Sequence, residues 1–332
     1  MRLLSRALLW LLILLPAAAH AQVRVERTTF GGWPNCYRIS NGRLEVIATT
    51  DIGPRIMSVR LDGGPNLFYV REDFAGKSGG AEWRNYGGHR LWHAPEDKSR
   101  TYEPDNLPLR PALIEELPDG VRLGSEVGAT SGISKSIEVR MDPRRAVVTV
   151  THRLRNHGLW EVELAPWAIS VMAPDGFAIS PLPSRFHPDR LLPNRTLVLW
   201  PYTDLRDDRY SLGTNLVMLR HRAGINVARE RAKIGVANDD GWCAYARQGY
   251  LFIKRFRHDA GAVYPDRGAS VELFTNNRML ELETLAPLVK LAPGATVDYE
   301  ERWELHRDLP LRFGDEEQVR NLVLPLVKQD KN

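Results

Sequence analysis

Apolar and polar positions alternate in short bursts along most of the chain, and no long 3.6-residue stripe interrupts them until the end. Segments such as "RLEVIATT", "GVRLGSEV", "KSIEVRMD", "RAVVTVTHRLRN", "WEVELAPWAISVMA", "TLVLWPY", "GYLFIKRF", "ASVELFTN" and "VDYEERWEL" either alternate or run apolar, and they are rich in Val, Ile, Leu and aromatics. Between them come turn signals: Asp62-Gly63-Gly64, Gly79-Gly80, Asp119-Gly120, Asp175-Gly176, Asp239-Asp240-Gly241 and Pro293-Gly294. Short period-two segments separated by frequent turns predict an all-β sandwich or barrel. One helix is expected, in "GDEEQVRNLVLPLVKQ" near the C-terminus. Gly314 or Asp315 would cap it, Glu316 and Glu317 would sit near its positive end, and Pro325 would limit its length.

The first residues follow another pattern. Arg2 and Arg6 precede an apolar run from Leu8 to Pro16, and Ala19-His20-Ala21 gives the small-x-small pattern of a signal-peptidase site. The run is shorter than the roughly 20 residues a spanning helix needs. Residues 1–21 are therefore expected to be a signal peptide, with a mature chain from Gln22 in the periplasm or outside the cell and no membrane span after cleavage. About 310 residues remain, and all-β folds of that size commonly form one unit, so residues 22–332 are expected to be a single domain. Neither repeats nor a linker divide them.

The formal charge of +4 is spread over mixed charges, and two of the positive groups, Arg2 and Arg6, belong to the leader. Without a basic block, nucleic acid is not an expected partner. Cys36 and Cys243 are the only cysteines, and zinc-finger spacing is absent. An oxidising compartment would permit a bridge between them, but a domain this large does not need one.

Candidate chemistry concentrates in two places. "NYGGHRLWHAPED", residues 85–97, holds His89, Arg90, Trp92, His93 and Glu96, and Tyr102 and Asp105 follow. His89 and His93 stand four apart, the spacing of two metal ligands on a helix. Gly87-Gly88 and Pro95 leave hardly a turn and a half for one, and no glutamate directly follows the first histidine as a zincin requires. No metal or cofactor is expected on that basis. A sugar site accounts for the residue types: Trp92 offers a face to the C–H side of a ring, while His89, Arg90, His93 and Glu96 offer hydrogen bonds to hydroxyls. The competing reading is a rigid polar turn with Trp92 in the core. In "RMLELETLAPLVKLAPGATVDYEERWEL", alternation places Glu281 and Glu283 on one face, and Glu272 stands on a neighbouring segment. A carboxylate desolvated on a concave sheet is a potential general base; on a convex sheet it is a solvent-facing acid. Lys254 and Arg55 lie in otherwise apolar runs, where burial demands a partner, and Asp266 with Tyr264 forms a turn near them.

Taken together, "LFIKRF" and "LFTNNRMLELETLAPLVKLAPG" resemble the C-terminal part of aldose 1-epimerases and their galactose mutarotase-like relatives. Leu282-Glu283-Thr284, Pro287 and Leu291-Ala292-Pro293-Gly294 follow the order of that family's motif. "RLEVIATTDIGPRIMSVRLDGGPNLFY" resembles its first hairpins, and with "YGGHRLWHAPE" and "LAPWAISVMAPDG" the chain is similar to a poorly characterised bacterial branch, over residues 28–307. The resemblance implies a β-supersandwich with a sugar on its concave face and Glu283 as the base that takes the anomeric proton. The family's acid histidine is missing: the matching stretch reads Ala165-Pro166-Trp167-Ala168. Trp167 stacks on sugars but gives up no useful proton, so His89 or His93 becomes the expected acid. Arg55, Arg90, Lys254 and Asp266 join Trp92, Glu96 and Trp167 as expected substrate contacts, and the number of cations makes an acidic sugar one option. Two functions stay open: an enzyme acting on a sugar or uronate by acid–base chemistry, and a non-catalytic carbohydrate-binding protein in which Trp92, Trp167 and Trp242 stack on the ligand. A lyase using Tyr102 or Tyr264 is a further variant of the first. The oligomeric state is not legible.

Overall fold

In a computed structural model, which describes residues 22–183, 189 and 191–328, the chain forms two large antiparallel sheets. The expected signal peptide lies outside the described residues. No helix among the described residues is long and apolar enough to cross a membrane.

One sheet runs in the order Arg24–Phe30, Trp33–Ser40, Leu44–Thr49, Arg55–Leu61, Gly88–Ala94, Val162–Met172, Leu280–Leu285, Val271–Thr275, Ala232–Val236, Leu197–Leu199. The other runs Tyr210–Leu212, Leu216–Arg220, Phe177–Pro181, Trp242–Arg247, Tyr250–Phe256, Thr296–His306, Val147–Asn156, Ile133–Met141, Gly120–Gly124, Ile114–Leu117. Each predicted β segment falls on one of these strands, and the Val162–Met172 strand runs straight through Pro166. The core lies between the sheets, where Val46, Leu91 and Leu282 of the first meet Val150, Phe252 and Trp303 of the second.

Register decides what the other face of the first sheet presents. Trp92 is paired with Trp167, Arg90 with Ile169, Ile169 with Glu283, Glu283 with Glu272, Glu281 with Phe274 and Phe274 with Lys233. Directly paired residues project to the same side. Five adjacent strands therefore raise one continuous row of aromatic, acidic and basic side chains away from the inter-sheet core. The intervening residues His89, Leu91 and His93 turn the other way by the same period of two.

Gly87 and Gly88 open the Gly88–Ala94 strand at φ +88° and +69°, and a Cβ on either would collide with the Tyr69 or Ile56 carbonyl. The glycine pair thus serves close approach of backbone to backbone.

The C-terminal helix spans Glu316–Lys328 and starts as expected, with the Asp315 carboxylate accepting from the Gln318 amide at 3.0 Å. It continues through Pro325 instead of stopping there. Two things hold the last turn: Val319, Val323 and Val327 pack on Trp242 and Ile253, and the Arg255 guanidinium donates to the Leu326 and Val327 carbonyls at 2.9 and 2.6 Å. Cys36 and Cys243 are buried free thiols, Cys36 in the first sheet and Cys243 in the second. Burial pushes them up to about 11 and about 12.

Candidate functional site

The row of paired side chains, Glu272 excepted, is the floor of a cavity of about 470 Å³. At its centre Glu283 is 1% exposed. Its Oε2 accepts from Trp167 Nε1 at 2.9 Å and from Lys233 Nζ at 3.2 Å, while Oε1 has no partner. Lys233 is held from behind by Glu272, whose Oε2 lies 2.6 Å from Nζ. Burial is the largest influence on all three groups. It pushes the Glu283 carboxyl up to about 7 against the pull of Lys233, and carries Glu272 well above the ordinary carboxylate range. Burial also works against the Lys233 ammonium, but the two carboxylates outweigh it and keep the amine charged.

Aromatic rings form one wall. Trp83, Trp92, Tyr102 and Trp167 touch in series, with centroids 4.8–5.4 Å apart along the contacts Trp83–Trp92, Trp92–Tyr102 and Trp92–Trp167. Arg90 lies 4.6 Å above the Trp92 ring and donates to Glu281 Oε1 at 3.0 Å, while its Nε and Nη1 have no partner. The Tyr102 hydroxyl donates to Glu96. Across the cavity, the Lys233 ammonium stands 4.6 Å from the Trp200 ring centre, and Tyr202, Arg231 and Arg278 complete the rim. Such a surface offers apolar faces for C–H groups and a dense set of donors and acceptors for hydroxyls.

Of the residues picked from sequence, Glu283, Arg90, Trp92, Glu96 and Trp167 line this cavity, as do Tyr102 and Glu281. The others do not. His89 is fully buried between the sheets, its Nδ1 2.9 Å from Ser170 Oγ and its Nε2 2.7 Å from His152 Nε2. Period two puts it behind the sheet that carries Glu283, so it cannot protonate a ligand lying in front. His93 shares that rear face, and burial, the largest cause, lowers it to about 4. Arg55 is sealed by a 2.5 Å pair with Asp105 and a bond to the Gly87 carbonyl. Lys254 is buried 2.8 Å from Glu301 on the core side. Asp266 sits in a turn at φ +47°, outside the cavity lining. Trp242 belongs to the packing beneath the C-terminal helix, and the Tyr264 hydroxyl accepts from the Asp259 amide.

A metal was not expected, yet His89, His152 and Glu301 bring one ligand-capable atom each within 4.8 Å of one another. The histidine partner is thus His152, from a strand of the other sheet, and not His93. Glu301 already carries the Lys254 ammonium at 2.8 Å and a Trp303 indole N–H at 2.8 Å, so its charge is neutralised without an ion.

Comparison with solved structures shows the same architecture in proteins of very different sequence. A galactose mutarotase-like protein from Lactobacillus casei superposes with a TM-score of 0.53 at 8% identity, over 82% of this chain and all of that one. A protein from Klebsiella pneumoniae, provisionally named an aldose 1-epimerase, gives 0.56 at 12% identity over 92% of this chain and 86% of its own. The fold is galactose mutarotase-like. A TPR-domain containing protein from Parabacteroides distasonis also carries it, with a TM-score of 0.55 at 15% identity, and this chain, 83% of which is covered, spans 48% of that one. A family model described as a domain of unknown function, DUF4380, matches residues 201–306. Comparison with curated proteins found no match.

In this mutarotase-like sandwich the concave pocket holds several residues that the sequence reading passed over: Lys233, Trp83, Trp200, Tyr202 and Arg231. Lys233 carried a usable signal, a lone charge in the apolar run "AKIGV", the same signal that singled out Lys254. The two lysines face opposite sides of the first sheet, and nothing in the sequence distinguishes them.

Proposed function

We propose that the concave pocket binds a carbohydrate and that Glu283 acts there as a general base, in chemistry of the mutarotase or epimerase type. The observation that carries this reading is the Glu283 carboxyl itself: buried at the cavity floor, with one unpartnered oxygen, and raised to about 7. A base poised near the working pH is the form in which a carboxylate takes a proton from a hydroxyl. Taking the anomeric proton lets the ring open, the carbonyl turn and the other anomer close. The aromatic wall of Trp83, Trp92 and Trp167 and the donors of Arg90 supply the binding. The pocket's cations, Arg71, Arg90, Arg231, Lys233 and Arg278, face the anions Glu96, Glu230, Glu281 and Glu283, which supports a neutral sugar at least as well as a uronate. The leader pattern of residues 1–21 supports a site of action in the periplasm or outside the cell.

The second reading, a non-catalytic binding protein, rests on one observation: among the described residues no histidine lines the pocket. Calorimetric titration with glucose, galactose and glucuronate, together with exchange NMR between their anomers, separates the two. Binding with accelerated exchange that Glu283→Gln abolishes is the expected result. Binding without exchange leaves the binding protein, and no binding of any sugar overturns both.

A further inference from the structure

Among the described residues no histidine lines the cavity beside the base at its floor, and the structure offers another group in that place. We propose that Lys233, backed by Glu272, is the proton donor of this site, delivering a proton to the sugar ring oxygen while Glu283 withdraws one from the anomeric hydroxyl. This rests on the carbohydrate reading of the pocket and deepens it.

Geometry is the first argument. The ring oxygen and the anomeric hydroxyl are bonded to the same carbon, so a donor and an acceptor serving both must be neighbours. Lys233 Nζ and Glu283 Oε2 are 3.2 Å apart, and both residues line the cavity. The ammonium is further aimed by the faces of Trp167 and Trp200, whose ring centres lie 5.1 and 4.6 Å from it.

Charge is the second. Two carboxylates and one ammonium, all at most 5% exposed, carry a net negative charge unless one more proton is bound. Glu272 sits deeper than Glu283, is wholly buried and does not line the cavity, yet its carboxyl is 2.6 Å from Lys233 Nζ. It is the natural holder of that proton.

Elimination is the third. Two other kinds of donor around the cavity fit poorly: the Tyr102 hydroxyl is engaged by Glu96, and a guanidinium does not release a proton.

The step balances. Glu283 takes the anomeric O–H proton as the bond from the anomeric carbon to the ring oxygen breaks. The electron pair of that bond goes to the ring oxygen, which takes a proton from Lys233. Glu272 returns its stored proton to the amine, so no free amine accumulates. After the aldehyde rotates, closure runs the same transfers backwards and restores all three groups.

The test uses the full chain and exchange NMR between the anomers of glucose, galactose and glucuronate, with calorimetric binding of each sugar as control. Lys233→Arg keeps the charge but cannot give up a proton, so it is expected to bind within about threefold of wild type and to lose about a hundredfold or more in exchange rate. Should it fail to fold, Lys233→Met serves. Glu272→Gln is expected to slow exchange about tenfold and, added to Glu283→Gln so that Glu283 contributes no signal, to remove the infrared carboxylic-acid band that Glu283→Gln alone retains at pH 7. Exchange in Lys233→Arg at the wild-type rate, with Glu283→Gln inactive, overturns the donor role while sparing the pocket reading. A carboxylic-acid band that Glu272→Gln leaves unchanged in the Glu283→Gln background overturns the proton store. Wild-type protein that accelerates no exchange sinks the catalytic reading of the pocket and the role of Lys233 with it.

Discussion

His89 and His152 turn their Nε2 atoms toward each other across 2.7 Å in the middle of the inter-sheet core. The remaining contacts fix the protons. His152 Nδ1 lies 3.0 Å from the Tyr299 carbonyl, which can only accept, so its Nε2 is the acceptor. His89 must then donate from Nε2, and its Nδ1 accepts from the Ser170 hydroxyl.

A fully hydrogen-bonded neutral pair has no place for another proton. Burial, the largest cause in both, lowers the two imidazoles, and for His89 the charges of His152, Lys254, Arg90 and Arg55 lower it further; Glu301 and the Tyr299 carbonyl pull His152 the other way without prevailing. A histidine lowered by folding leaves stability intact above its unfolded value and erodes it as pH falls below about 6.5. Urea unfolding from pH 8 to 5 should show that loss, and His89→Gln should flatten it while costing about 1–3 kcal/mol at pH 7. If His89→Gln instead abolishes sugar turnover in a well-folded protein, the core role is wrong.

Glu283 sets a pH dependence for the site itself. Raised to about 7, its carboxyl is ionised only above that value, so a rate that depends on it as base should climb through pH 7 and level off beyond. Stability moves the other way, since a carboxyl raised by folding loses its contribution as pH rises from about 4.5 through 7. A pH–rate profile that is flat from 5 to 9 would exclude the base role.

Lys254 and Glu301 form a pair in which both side chains are wholly buried. Lys254→Met strands the carboxylate in the core and should destabilise by about 3–5 kcal/mol. Because the pair lies behind the sheet, sugar affinity at full folding should stay within about twofold, a check by calorimetry at low temperature. A selective loss of affinity would place Lys254 in the site after all.

Trp200 is half-buried on the cavity wall and carries the Lys233 ammonium over its ring. Trp200→Ala should weaken sugar binding about tenfold, the loss of one stacking face and one cation–π contact, with little effect on stability. Unchanged affinity would put the ligand elsewhere in the cavity.

The period of two along each strand was legible without the fold, and it was enough to predict an all-β sandwich or barrel and to set Glu281 and Glu283 on one face. The resemblance of the Leu282-Glu283-Thr284 region pointed to the fold that the solved mutarotase-like sandwich shares with this chain. What alternation cannot supply is which face is concave. His89 and Arg90 are adjacent in sequence and chemically busy, yet one lines the core and the other the cavity.

The sequence by itself determined local conformation, because backbone sterics and side-chain alternation act over two or three residues. Tertiary structure alone decided the partners. Lys233 meets Glu283 because their strands flank the Val271–Thr275 strand between them, and Lys254 meets Glu301 because theirs pair on the other sheet. Each lysine is a lone charge in an apolar run, and Coulomb attraction between groups fifty residues apart is invisible until the register of neighbouring strands brings them within 3.2 Å.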